Sequence, residues 1–213
     1  MTVWQRFRQD LGMTSVIERA TSGRAKCRAC GQAIAKGEER FGEALPNAYG
    51  EGESTFWFHV RCAACSRPES LLAVLEQGQA TAEGASELIA LAREGTAHPR
   101  LSRILRAERA SSGRARCRYC RELIEQGSVR LALQMFEEGR FNSMGTIHAH
   151  CAVHYFGAEP SLERLTLPTN ELSSEELAEV VAVMREGATR PIQPGLAKTS
   201  ADDSEQESSR KTS

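Results

Sequence analysis

The stretches IERATSGRAKCRAC (residues 17–30) and LRAERASSGRARCRYC (residues 105–120) agree at Glu-Arg-Ala, at Ser-Gly-Arg-Ala and at both cysteines. Each opens a longer pattern. Cys27-x2-Cys30 is followed after 28 residues by His59-x2-Cys62, and Cys117-x2-Cys120 after 27 residues by His148-x2-Cys151. Further on, SELIALAREGTAHPR (86–100) and EELAEVVAVMREGATRP (175–191) repeat a helical stretch that ends in Arg-Glu-Gly. The duplicated unit therefore runs for roughly 90 residues rather than one metal knuckle. Two domains follow, over residues 14–95 and 102–190, joined by HPRLSR (98–103), with relative motion between them. Residues 191–213 are expected to be a disordered polar tail, because LAKTSADDSEQESSRKTS offers almost nothing to bury.

Composition bounds the function classes. The 213 residues, 40% hydrophobic and 26% charged, suit one or two domains of about 100 residues each. Lys+Arg number 27 against 28 Asp+Glu, a formal net charge of -1, which excludes a uniformly basic chromatin-like protein but not a local basic face. MTVWQRFRQDLGM lacks the apolar core of a signal peptide and no apolar run approaches about 20 residues, which argues against secretion and membrane spanning. Richness in Ala, Arg and Glu without a basic targeting cluster leads to a cytoplasmic expectation, nucleoid-associated in a bacterium and nuclear in a eukaryote. In that setting clustered cysteines are metal ligands more often than disulfides.

Within each unit the pattern predicts an α+β fold, a small antiparallel sheet with flanking helices. A short opening helix carries Val16, Ile17 and Ala20, or Ile104, Leu105 and Ala107, and a Ser-Gly break stops it. ERFGEAL and SVRLALQM read as strands, with Val129, Leu131, Leu133 and Met135 alternating at period two. STFWFHVRC and FNSMGTIHAHC return antiparallel to them, after Gly-containing loops around 46–54 and 137–145. A helix follows each finger. Leu71, Leu72 and Leu75 mark one, and Leu177, Val180, Val181 and Met184 form a stripe behind a Ser173-x-x-Glu176 capping box.

Three thiolates and one imidazole make a closed tetrahedral zinc set with no position left for water or substrate, which is structural rather than catalytic chemistry. The predicted ligands are Cys27, Cys30, His59 and Cys62 for one zinc ion, and Cys117, Cys120, His148 and Cys151 for a second, one per finger. In units with so few aromatics the metal should supply much of the folding free energy, on the order of 10 kcal/mol. Cys65 and His154, each three residues beyond the last ligand, stay open as alternative donors. Otherwise Cys65 is a half-buried helix thiol, His154 a surface residue, His150 solvated, and His98 without a role.

Each unit resembles the poly(ADP-ribose) polymerase-type zinc finger. The resemblance rests on Cys-x2-Cys, some 28 residues and His-x2-Cys, and on Ser22-Gly23-Arg24-Ala25, Ile34, Arg40 and Trp57-Phe58-His59 in the first copy. In the second it rests on Ser112-Gly113-Arg114-Ala115, Ile124, Arg130 and His148. It implies recognition of nicked, gapped or broken DNA by structure rather than sequence, with the phosphate backbone gripped and apolar side chains stacked on an exposed base pair. Repair machinery is a further implied partner; no membrane and no small-molecule substrate are expected. No enzymatic module is discernible, since the repeated Cys and His residues are spoken for by metal and neither a Gly-rich phosphate loop of the usual kinds nor Gly-x-Ser-x-Gly occurs.

Charge chemistry supports part of that expectation. Residues 102–155 hold nine arginines and no lysine against five glutamates, and a guanidinium grips phosphate oxygens bidentately. Arg114 and Arg130 are the expected phosphate ligands, with Arg24 and Arg40 their counterparts; Gly113 would let backbone N–H groups approach the same anion. The first finger, with seven Lys+Arg and six Glu over residues 14–62, should contribute less affinity. Candidate stacking residues in the hairpin loops are Met135, Phe136 and Phe141, with Leu45 and Tyr49 in the first unit. Glu51, Glu53, Glu137 and Glu138 would repel phosphate there, while Phe56, Trp57 and Phe58 are expected to pack around the zinc knuckle. The alternative is a zinc-stabilised module for protein or RNA partners, which the acidic loops and neutral net charge would permit.

Overall fold

The residues VIER form a strand, β1 (Val16–Arg19), and not the expected opening helix. The β-branched Val16 and Ile17 suit a pleated surface and gain a partner strand in Phe41 and Gly42. The same correction holds in the second unit, where Ile104–Arg109 is β4. The computed structural model describes residues 15–47, 51–76, 82–137, 139–166 and 172–191. The tail expected to be disordered lies almost wholly outside them.

In the first unit β2 (Glu39–Pro46) pairs antiparallel with both β1 and β3 (Glu53–His59), in the order β1-β2-β3. Three helices follow: α1 (Val60–Ser66), α2 (Pro68–Glu76) and α3 (Ala85–Ala97). The second unit repeats the sheet with β4, β5 (Val129–Glu137) and β6 (Arg140–His148). A 3-10 turn at Ala149–Cys151 then leads into α4 (Ala152–Phe156), α5 (Leu162–Leu165) and α6 (Ser174–Ala188). The capping box at α6 is formed: the Glu176 backbone N–H donates to Ser173 Oγ, and the Ser173 N–H to the Glu176 carboxylate.

The period-two pattern of β5 turns Val129, Leu131 and Leu133 into the core, where they join Ile124, Ile147, Phe156, Val180 and Met184. The first core is built on Ile34, Phe41, Phe58, Leu71 and Ala92. The duplicated Arg-Glu-Gly acquires a steric reason. A Cβ on Gly187 would lie 2.1 Å from the His150 carbonyl oxygen, and one on Gly95 would lie 2.8 Å from Arg164 Nη2, so only glycine lets these helices approach.

The segment expected to allow motion between the units is a 3-10 helix, Pro99–Arg103, whose Leu101 is buried. Two contacts bind the units beside it. The β5–β6 tip docks on the first unit: the Phe136 ring lies 6.2 Å from both Phe56 and Phe58, and Phe141 lies 6.4 Å from Phe58. Arg67 lays its guanidinium 4.3 Å from the Phe136 ring centre while its nitrogens reach the fully buried Glu43 carboxylate at 2.7 and 2.8 Å. On α5, Arg164 is completely buried and donates to Glu94 Oε2 at 3.0 Å, to the Cys65 carbonyl at 3.0 Å and to the Leu91 carbonyl at 2.5 Å.

Candidate zinc centres and nucleic-acid interface

Antiparallel pairing delivers the metal ligands. Register sets Arg40 opposite His59 and Arg130 opposite His148, so each return strand ends with its imidazole at the sheet edge, beside the Cys-x2-Cys turn. The turn is held by backbone bonds: the Gly31 N–H donates to the Cys27 carbonyl at 2.8 Å, and the Arg121 N–H to the Cys117 carbonyl at 2.9 Å. Gly31 takes φ 74° there, and its counterpart Arg121 takes φ 71° despite its side chain. A left-handed non-glycine costs about 1–2 kcal/mol, so Arg121→Gly should stabilise the second unit by about 1 kcal/mol in urea unfolding, with zinc content unchanged.

The ligand atoms of Cys27, Cys30, His59 and Cys62 lie within 4.8 Å of one another, as do those of Cys117, Cys120, His148 and Cys151. Nδ1 of His59 is 3.4 Å from Cys30 Sγ and 3.8 Å from Cys62 Sγ; Nδ1 of His148 is 3.4 and 3.9 Å from the Cys120 and Cys151 sulfurs. Tetrahedral zinc with bonds of about 2.0 Å to nitrogen and 2.3 Å to sulfur separates such donors by about 3.6 Å, so both quartets fit the ion. Each imidazole turns Nδ1 inward and directs Nε2 to a carbonyl, Ala33 at 3.3 Å or Leu123 at 3.1 Å, which fixes ring and tautomer for ligation. Backbone N–H groups of His59 and His148 also donate to Cys27 and Cys117 Sγ, both at 3.4 Å. These are two Cys3His zinc-binding clusters, each beside one sheet and its flanking helices.

Protons are unevenly shared in each quartet. Hydrogen bonds from the Cys30 and Cys62 thiols hold Cys27 far below the ordinary thiol range, and Cys151 with His148 brings Cys117 down to about 3. Cys62 and Cys151 are pushed far up, chiefly because they share protons with those thiolates. His59 is raised to about 10 by Cys27 and then Cys30, and His148 upward by Cys117. Zinc requires every donor deprotonated, so a raised imidazole and raised thiols must release protons on binding. Zinc affinity should therefore fall as pH falls, and titration calorimetry in buffers of different ionisation enthalpy should show net proton release; equal heats in all buffers would contradict this.

The alternative donors are employed elsewhere. Cys65 is buried on α1, its thiol pushed up to about 11 by burial, and its carbonyl accepts from Arg164. His154 is half-buried, stacks on Tyr119 and directs Nε2 to the Gly187 and Arg190 carbonyls at 3.1 and 2.9 Å, at the end of α6. His150, expected in solvent, is half-buried and stacks on His148 with centroids 4.5 Å apart; burial lowers its pKa first, the neighbouring His148 second.

The four arginines separate into two kinds. Arg24 and Arg114 are exposed in the Ser-Gly-Arg-Ala turns, and no side-chain partner engages either among the described residues. Arg40 lies against the Trp57 ring, 3.6 Å from its centre, and bonds Glu18 at 3.1 and 2.6 Å. Arg130 bonds Glu108 at 2.8 and 2.6 Å. Both pairs brace the first two strands of a sheet, so Arg40 and Arg130 are not free guanidiniums. Sequence held a signal for this that was missed: the Glu of each Glu-Arg-Ala precedes its arginine by 22 residues in both copies.

The stacking candidates need correction. Phe136 and Phe141 are strand residues with rings 4.8 Å apart, covered by Phe58 and Arg67 of the first unit rather than exposed in a loop. The second hairpin is short, and what was expected as loop to residue 145 is largely β6. Gly139, at φ 78°, lies against Phe56 so tightly that a Cβ would come within 2.4 Å. Met135 and Leu45 are half-buried on β5 and β2. Tyr49 and Glu138 lie outside the described residues. Trp57 and Phe58 pack as expected on the first core, and Phe56 joins the contact between units.

Residues 18–94 match the family described as the poly(ADP-ribose) polymerase and DNA-ligase Zn-finger region. The chain is also 29% identical over 133 residues to poly [ADP-ribose] polymerase 1 of Gallus gallus, an alignment that covers 55% of this chain and 13% of that relative. With the two donor quartets, the match over residues 18–94 agrees with a zinc-finger fold in the first unit, and the chain spans only a small part of the relative's length.

Proposed function

We propose, on the premise that residues 18–94 are a zinc finger of the poly(ADP-ribose) polymerase and DNA-ligase type, that the chain is a non-catalytic binder of interrupted DNA. The observation that carries this reading is the pair of exposed guanidiniums, Arg24 and Arg114, unpartnered among the described residues, on duplicated turns that each lead into a Cys-x2-Cys knuckle. A backbone turn held in place before binding spares that part of the ordering cost, and phosphate is the anion a guanidinium fork fits. Arg28 and Arg118 stand exposed on the adjacent Cys-x2-Cys turns, Arg28 over the Phe56 ring at 5.0 Å and Arg118 bonded to the Met144 carbonyl at 2.9 Å. Phe136 and Phe141 are covered by the first unit and take no part in end stacking in this reading, which leaves Met135 and Leu45 as its candidates among the described residues.

Fluorescence anisotropy of the zinc-loaded chain on matched intact, nicked and gapped duplexes at two salt concentrations tests the proposal. Preference for the interrupted duplexes, lost on chelation, is the expected result. Equal or absent binding to all three would overturn it and favour a protein-interaction module. Arg24→Ala with Arg114→Ala should leave two zinc ions bound, weaken DNA binding about tenfold and lower the slope of log K against log salt by about 2, one phosphate per arginine. An unchanged slope would take these residues out of the interface.

A further inference from the structure

A groove of about 760 Å³ runs between the units on the α3 side of the molecule, lined by β1, β2, His59 at the end of β3, α1 and α3 of the first unit and by Ser161 and Glu163 of the second. Six carboxylates and two guanidiniums line it. Three of the carboxylates have employment: Glu38 accepts from the Ala35 N–H, Glu39 from the Glu83 N–H, and Glu94 from Arg164. Glu83, Glu87 and Glu163 are exposed, and no partner engages their carboxylates among the described residues. Its apolar lining is Val60 with Leu88 and Leu91 of α3. Leu88, Ile89 and Leu91 of the 13-residue α3 pack against the first core yet stay only partly buried, so the apolar face of the helix is incompletely covered.

We propose that this groove docks a short basic segment of a partner protein, one that alternates lysine or arginine with aliphatic side chains. Size and charge select that occupant. A cavity of this volume takes several side chains and not a folded domain. Unpaired rim carboxylates repel phosphate and attract cationic residues, while the half-covered leucines bury aliphatic ones. Neither Arg24 nor Arg114 lines the groove, so its surface is separate from the proposed DNA contacts and the inference does not depend on them.

The test uses the full zinc-loaded chain and a fluorescein-labelled 12-residue peptide of alternating Lys and Leu. Controls are a Lys-Ser peptide of equal charge and a Glu-Leu peptide. Tighter binding of Lys-Leu than of either control, weakened at least tenfold by Glu83→Gln, Glu87→Gln and Glu163→Gln together, is expected. Glu51→Gln with Glu53→Gln, on the distant hairpin, should change peptide affinity less than twofold. Binding of Lys-Ser as tight as Lys-Leu, or equal loss from both variant sets, would reduce the effect to general charge attraction and overturn the proposal. So would concentration-dependent self-association that the groove variants abolish, which would make a second copy the occupant. Retained two-zinc content and unchanged nicked-DNA affinity in the groove variants establish that the fold and the DNA-binding reading stand or fall apart from this one.

Discussion

Replacing Cys120 with alanine should leave the chain with one bound zinc ion instead of two and unfold the second unit. Three donors hold zinc weakly, and the lost binding energy, on the order of 10 kcal/mol for a structural site, rivals the whole stability of about 5–15 kcal/mol for an ordinary domain. Neither nearby histidine can take the vacated position cheaply, because His154 is spent on the α6 carbonyls and His150 stacks flat on His148. Zinc analysis gives the stoichiometry, and amide exchange should show β4, β5 and β6 unprotected. Exchange in β3 should rise too, because Phe58 loses the cover of Phe136 and Phe141. Cys65→Ala is the control: it should keep two zinc ions. A Cys120→Ala chain with two ions and protected strands would show the ligand set to be wrong.

Arg164→Met should cost about 1–3 kcal/mol, the effect of taking the donor away from buried acceptors, since water still reaches the part-exposed Glu94 carboxylate. Among the described residues the substitution leaves the Glu94 carboxylate one protein donor, the Ser161 hydroxyl at 3.3 Å, and it deprives the Cys65 and Leu91 carbonyls of Arg164. Equilibrium unfolding in urea, followed separately by fluorescence and by zinc release, should pass from one transition to two as the units lose their contact. Glu94→Gln in the Arg164→Met background should recover part of the loss, since it removes the charge that Arg164 had paired. A loss below about 1 kcal/mol with a single transition retained would show that Arg164 does not hold the units together.

Most of the architecture was legible because duplication and metal chemistry left dense local signals. Two cysteines at one spacing, repeated with a histidine and a cysteine at another, carried the clusters, and alternation in Val129–Met135 carried β5. What sequence did not convey depends on remote partners. Val16 and Ile17 are strand residues because Gly42 and Phe41 lie alongside them. Arg40 and Arg130 are occupied because Glu18 and Glu108 lie across the sheet. Phe136 and Phe141 looked like an exposed apolar tip because the surface that covers them belongs to the other copy, and periodicity within one unit contains no trace of it.

The socketed β5–β6 tip has a mechanical corollary. With the tip seated on Phe56 and Phe58, and Arg164 anchored in the first unit, the protein acts as a stiff gauge: the interval between its two arginine turns is set by side-chain packing and not by whatever lies between them. Duplex DNA is itself stiff, with a persistence length of about 150 base pairs. In a chain that binds DNA as proposed, two rigid bodies meet, and any bend that brings phosphates to both turns costs elastic energy in an unbroken helix. A nick supplies a swivel at almost no elastic cost. Discrimination would then reside in the compliance of the DNA, and loosening the socket would blunt it even where every phosphate contact survives.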